Sequence, residues 1–241
     1  MKLLVKILIA LAIVGVVLLG IGIRNGGELY TSLQDGELVA FQDNFDAPTA
    51  HGTGEIKDPG EIDIVHIEVT AGSCEIETGT RLMYSPRVDA AVNTNTLILK
   101  VSADDAEIVL PDQKFKQITV SVDGGALEAE DLYAEKISAI GTFGSMEIES
   151  LRADTCNISA SAGELHVDDL DAAEIIAHCT GGDMELGLAG HAQDYHCIAD
   201  ITAGRALWEG DSLEDAAFGD ANAPRSLTLF VTAGSIDLSR D

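Results

Sequence analysis

The sequence predicts an all-β fold: a right-handed parallel β-helix, or solenoid, with rungs of about 19 residues, preceded by one N-terminal transmembrane helix. Three observations predict it. A glycine recurs at Gly125, Gly144, Gly163 and Gly182, spaced 19 residues apart each time, and self-similarity at a fixed period is the mark of a solenoid. Apolar and polar residues alternate on both sides of each glycine, the period-2 signature of a strand with one buried face. An unbroken apolar run from Ile7 to Ile23, bounded by Lys6 and Arg24, opens the chain.

That run divides the chain into three: an anchor over 1–24, a tether or lead-in over 25–61, and the solenoid over 62–241. Seventeen apolar residues lie at the short end of the spanning range, and Leu3–Val5 extend the run if Lys6 snorkels. The rival reading is a cleaved signal peptide. Ala10 and Ala12 are small enough for a cleavage site, but they sit inside the run rather than after it. The N-terminal amine, Lys2 and Lys6 outweigh Arg24, which Glu28 and Asp35 follow. A single-pass protein of the cell membrane, with its C-terminal domain extracytoplasmic, is therefore expected. The lead-in is rich in Gly, Asp, Asn and Pro and lacks sustained periodicity.

The repeat units align without gaps: ITVSVDGGALEAEDLYAEK, ISAIGTFGSMEIESLRADT, CNISASAGELHVDDLDAAE and IIAHCTGGDMELGLAGHAQ. The template also extends outward. Seven, five and three residues before the glycine stand Val65/Ile67/Val69, Ile118/Val120/Val122, Cys156/Ile158/Ala160, Cys197/Ala199/Ile201 and Leu227/Leu229/Val231. Two and four residues after it stand pairs such as Cys74/Ile76, Leu165/Val167 and Ile236/Leu238. A degenerate eighth unit uses Leu97/Leu99/Val101 and Ala106/Ile108, with Asp104 at the corner. The corner glycines are expected to supply positive φ. Excursions at 77–96 and 209–226 interrupt the period and are expected to project as loops, which carry binding more often than rungs do.

Several motifs resemble one known family. The apolar N-terminal segment, IEVTAGSCEIE, IVLP, ASAGELHVDDL and the closing VTAGSIDL are similar to the bacterial β-strand-repeat family provisionally named adhesins, first described as a domain of unknown function. The resemblance covers roughly residues 60–241. It implies the fold and an adhesin-like role, and it supplies no catalytic residues to transfer.

Chemistry-bearing motifs are missing from the sequence. HExxH, GxSxG, a P-loop, an EF-hand loop and the GGxGxD calcium repeat do not occur. A polysaccharide-cleaving β-helix would need carboxylates grouped with a basic partner, and the rungs offer only the scattered Lys136, Arg152 and Arg205. No enzymatic activity, catalytic residue, cofactor or metal ligand is therefore expected. With 41 acidic and 14 basic residues the net charge is −27, which excludes a nucleic-acid partner. The four cysteines, Cys74, Cys156, Cys179 and Cys197, form no CxxC pair. They read as buried small hydrophobes. Cys156 and Cys197 share a column but sit two rungs apart, which is too far to bridge.

The outward positions carry the functional expectations. After the glycine come Glu128, Glu147, His166 and Glu185, and beside them Glu130, Glu149, Asp168 and Gly187. Like charges one strand spacing apart repel by about 1 kcal/mol per pair in water-like dielectric. The ladder reads as a solubility device, with divalent-cation bridging as the alternative. His166 and His178 point outward on different strands and read as solvated. The outward pre-glycine face, with Thr119, Ser121, Ser138, Asn157 and Ser159, suits contact with an extracellular glycan or protein. Two functions fit: a surface-exposed, adhesin-like binding module, or an envelope-assembly or envelope-stress component acting through membrane-protein partners.

Overall fold

The computed structural model describes the backbone of Tyr30–Gln34, Glu37–Ala40 and Gly54–Glu55, and then residues 62–102, 105–213 and 217–240. The expected anchor and the corner at Asp104 lie outside the described residues. Within the expected lead-in, β1 (Tyr30–Gln34) and β2 (Glu37–Ala40) form an antiparallel hairpin belonging to a separate unit. The other strands form one sheet. In order they are β3 (Gly54–Glu55), β4 (Ile64–Val69), β5 (Ser73–Gly79), β6 (Met83–Tyr84), β7 (Val88–Asn93), β8 (Thr96–Val101), β9 (Asp105–Pro111) and β10 (Phe115–Val122). Then come the long strands β11 (Ala126–Gly141), β12 (Ser145–Ala160) and β13 (Glu164–Cys179). They are followed by β14 (Asp183–Leu188), β15 (Tyr195–Ile201), β16 (Arg205–Trp208), β17 (Asp211–Ser212), β18 (Ala217–Phe218), β19 (Arg225–Val231) and β20 (Ser235–Arg240). The one helical element among the described residues is a 3-10 turn, Ala192–Asp194.

Burial along the long strands shows why each makes several faces. In β11 the inward residues are Leu127 and Ala129, then Leu132 and Ala134, then Ile137 and Ala139. Two outward residues in succession, Glu130–Asp131 and Glu135–Lys136, separate these groups. Each pair shifts the phase by one residue and turns the chain, because a one-residue slip moves the side chains to the other face. We call the pre-glycine strand face A, the post-glycine strand face B and the link between them face C.

The parallel registers stack faces A and B into eight layers. On face A the order is β8, β4, β10, the ends of β11, β12 and β13, then β19 and β15. The expected inward columns hold throughout. Val65, Leu97, Ile118, Cys156, Leu227 and Cys197 are each 0% exposed, so each rung closes its neighbour's core. Chain order and stacking order differ at both ends. The first unit, β4–β5, lies in the second layer, inside β8–β9. The last, β19–β20, inserts between the sixth layer and the eighth, which β15–β16 form.

This exchange corrects two expectations. Cys156 and Cys197 are three layers apart, since Ile175 and Leu227 stand between them. All four cysteines are buried free thiols, and burial pushes Cys74 and Cys197 up to about 12. The excursions also do more than project. In the first, β7 pairs antiparallel along all of β8, and β6 pairs with β9, covering the first layer's edge. In the second, β18 pairs with β15 and β17 with β16 on the eighth layer. An uncovered parallel stack would present two edges ready to template another chain, and these short antiparallel strands blunt them.

The corner glycines also differ from expectation. Gly72 and Gly125 take φ of 88° and 113°, whereas Gly144, Gly163, Gly182, Gly204 and Gly234 are not among the positive-φ residues. Close approach explains those five. A Cβ on Gly163 would stand 2.1 Å from the Gly144 carbonyl oxygen, and one on Gly182 would stand 2.1 Å from that of Gly163. Each carbonyl accepts the N–H one residue past the next layer's glycine, as Glu164 donates to Gly144 at 3.1 Å. The glycine stack is thus a hydrogen-bonded spine with no room for a side chain.

Candidate functional site

Face B carries the acidic ladder, longer than the sequence suggested. The registers align Glu107, Glu75, Glu128, Glu147, His166, Glu185 and Asp237 in one outward column across seven layers, ending at Leu207. Glu75, Glu107 and Asp237 stand three residues past Gly72, Asp104 and Gly234, as Glu128 does past Gly125, so the alternation that placed Glu128 was a signal that could have found them. A shallow open groove of about 510 Å³ follows this column from Glu128 to Asp237, with Arg205 at its far end. Strand alternation alone aims these side chains outward.

His166 is the one non-acidic residue within the run. Its Nε2 lies 2.7 Å from Asp168 Oδ1 on the same strand, and its Nδ1 lies 3.1 Å from Glu185 Oε2 in the next layer. Partial burial alone would lower the imidazole pKa. Asp168 and Glu185 outweigh it and hold the group above its ordinary value, the expected direction for a histidine among carboxylates. At the other end of the face, partial burial, with Glu107, Glu75 and Glu130 around it, raises Glu77.

The described residues contain no group of three or more His, Cys, Asp or Glu side chains arranged to hold a metal ion. A flat strand face also lacks the looped carbonyls that complete a calcium shell. Calcium at millimolar concentration should raise the melting temperature by a few degrees at most, and added monovalent salt should remove the effect. Glu128→Gln/Glu147→Gln should melt slightly higher than the parent without calcium, since it relieves repulsion between neighbouring carboxylates and leaves the Asp168 and Glu185 contacts of His166 in place. Thermal unfolding of the full chain with and without calcium checks both outcomes.

Basic side chains are drawn into ion pairs away from the groove. Lys114 meets Asp154 at 3.1 Å, Lys116 meets Asp63 at 2.7 Å, and Arg152 meets Asp131 at 2.5 Å. Arg225 meets Asp171 at 2.6 Å on the outside and, inside, donates to Ala189 O at 2.8 Å and Tyr195 Oη at 2.9 Å. The buried Tyr195 ring, edge-on to Trp208 at 6.0 Å, fills the core near the eighth layer. These arrangements fix corners and close an end.

Face A holds the expected hydroxyl and amide residues Thr119, Ser121, Ser138, Asn157 and Ser159 in its third to fifth layers. Further along, its outward positions become apolar. Phe230 is 38% exposed and Ile198 46% exposed. The Phe230 ring stacks on His178 with centroids 4.6 Å apart and planes 8° from parallel. Ile176 stands half-buried in register with Thr228, which pairs in turn with Ile198. The sequence reading missed the stacked pair because His178 and Phe230 come from units that become neighbours only through the end exchange. The signal available was an aromatic at an outward position of the closing unit. His178 and His166 lie on one long strand, β13, rather than on the different strands expected, but on different faces of it, and partial burial lowers the His178 pKa.

Comparison with known proteins follows this geometry. A family model described as Toastrack DUF4097 matches residues 56–205. The crystal structure of a Clostridium sporogenes protein provisionally named a cell adhesion protein is similar at 14% identity, covering 78% of this chain and 100% of that one, with a TM-score of 0.40. No curated protein matches the chain.

Proposed function

The chain belongs to the Toastrack family, and from that premise we propose that it is a membrane-anchored, surface-exposed, adhesin-like binding module without catalysis. The observation that carries this reading is the Phe230–Ile198 patch, set at one end of a flat face otherwise bearing hydroxyl and amide groups. A stacked aromatic and an exposed isoleucine beside hydrogen-bonding side chains form the mixed surface that recognition uses. The excursions cover strand edges, so binding is assigned to face A rather than to projecting loops. An extracellular protein or glycan is the partner class. The apolar run at 1–24 supplies the anchor in this proposal, with the solenoid held outside the cell. Its coil is taken as right-handed, as parallel crossovers overwhelmingly are.

The test uses a panel of purified surface proteins and glycans, probed with the full chain and with residues 60–241. The shorter fragment should bind as the full chain does. Phe230→Ser/Ile198→Ser should lose at least about tenfold in affinity, roughly 1.4 kcal/mol, while Glu128→Gln/Glu147→Gln should not. Binding that needs residues 1–24 would instead favour an envelope-assembly or envelope-stress component working through membrane proteins. Turnover of any panel glycan would overturn the non-catalytic reading.

A further inference from the structure

We propose that His166 is a proton-operated clasp that ties the fifth layer to the sixth across face B, so that the acidic face tightens in mildly acidic surroundings and loosens in alkaline ones. The inference stands on hydrogen-bond geometry. Both ring nitrogens face carboxylate oxygens, Nε2 at 2.7 Å from Asp168 and Nδ1 at 3.1 Å from Glu185. A neutral imidazole has one N–H and would turn its remaining lone pair toward a carboxylate; the imidazolium donates from both nitrogens. Only the charged form satisfies both contacts, and those bonds are charge-assisted.

The surroundings favour the same form from every side. On its own strand His166 stands between Glu164 and Asp168. The fourth layer presents Glu147 in register with it, with Glu149 alongside. The sixth presents Glu185 in register and Asp183 opposite Glu164. Glu128, Asp237 and the single cation Arg205 line the groove at greater remove. The outward positions of face B in these three layers hold no Lys or Arg. Deprotonating His166 therefore removes the only positive charge in its three layers of this face and leaves neighbouring carboxylates facing one another.

The sign follows from linkage. A histidine held above its ordinary value contributes stability that is fully present below the unfolded-state pKa, about 6.5, and is lost as pH rises through the folded-state value. Glu77, raised on the same face, works in the same direction at lower pH, since protonating it relieves crowding with Glu75, Glu107 and Glu130. Asp63, lowered by Lys116 and Asn95, opposes this as pH falls, so whole-protein stability alone cannot isolate the clasp.

The test therefore reads His166 directly. Ring-nitrogen NMR of the full chain should show His166 titrating above the ordinary imidazole value, and Asp168→Asn/Glu185→Gln should bring it back to that value. Amide exchange at Met184–Leu186 should be slower at about pH 5.5 than at about pH 8.5, after correction for intrinsic rates. His166→Gln should abolish that difference. The melting temperature should separate parent from His166→Gln at the acidic pH and converge at the alkaline one. Titration at or below the ordinary value would overturn the clasp, as would an equal loss of stability in His166→Gln at both pH values.

Discussion

Gly125→Ala should destabilise the solenoid severely, whereas Gly124→Ala, one residue earlier, should be nearly silent. At Gly125 φ is 113°, and an added Cβ would stand 2.2 Å from the Gly72 carbonyl oxygen and 3.0 Å from its nitrogen. Those atoms are backbone, held by the hydrogen bond from Ala126 N–H to that carbonyl at 2.9 Å. They cannot swing away as a flexible side chain could. Relief requires separating the second and third layers, which strains the registers on faces A and B together. Overpacking costs about 1–3 kcal/mol and a left-handed non-glycine residue about 1–2 kcal/mol more. At Gly124 the nearest atom is Thr70 O at 3.4 Å, and no positive φ is found there. The expected result is a melting temperature lowered by about 5–15 °C for Gly125→Ala and within about 2 °C of the parent for Gly124→Ala. Equal effects at the two positions would mean that the glycine column is tolerant of side chains and that the spine does not set the layer spacing.

The buried columns were legible because a strand with one buried face writes its phase into the sequence, and each unit repeats that phase. Val65, Ile67 and Val69 could be placed inward without any knowledge of their neighbours. The identity of those neighbours could not be read. Leu97, Leu99 and Val101 satisfy the same template, so β8 and β10 suit β4 equally well as partners, and periodicity alone does not rank them. The skips over a layer are made by short links, 112–114 from β9 in the first layer to β10 in the third and 189–194 from β14 in the sixth to β15 in the eighth, whereas the long segments at 77–96 and 209–226 each join adjacent layers. The excursions were visible in the sequence, but they were read as projections rather than as covers for the two edges.

The candidate sites inherit this limit only in part. Glu128, Glu147, His166 and Glu185 were legible from their place in the template. Glu75, Glu107 and Asp237 hold the same place in the end units and join the column in either order, and the exchange sets only which layers they occupy. The Phe230–His178 stack does depend on the exchange, since β19 meets β13 only because the last unit enters between the sixth layer and the eighth, whereas β19 and β15 are neighbours in either order. The glycine requirement was located correctly and explained wrongly at five of the seven corner glycines: a recurring glycine signals either positive φ or close approach, and sequence does not distinguish them.

Ile158→Asp should be the most damaging single substitution on face A. Ile158 is 0% exposed, in register with Ala139 in the fourth layer and Ala177 in the sixth. The two small neighbours leave its side chain as the main filling at that level of the column. The chain cannot turn it outward, because a one-residue slip of β12 would also expose Cys156 and Ala160 and bury Asn157. An aspartate there loses the apolar contacts and brings in a carboxylate, and no buried polar or charged residue is found among the described residues to receive it. Protonation would lessen the penalty without removing it, since the neutral acid still lacks a hydrogen-bond partner. The cost should be at least about 4 kcal/mol, lowering the melting temperature by roughly 8–16 °C or preventing folding. Ile158→Val, which keeps the shape and removes one methylene, should cost about 1 kcal/mol and guards against reading a general failure to fold as a specific one. The fourth to sixth layers are the centre of the stack, so their loss should uncouple its ends and broaden the transition, as expected when stability is shared between neighbours along one dimension. An Ile158→Asp chain that unfolds at the parent's temperature would show that β12 faces the other way, and with it the column that places His166 and Phe230 on the outside.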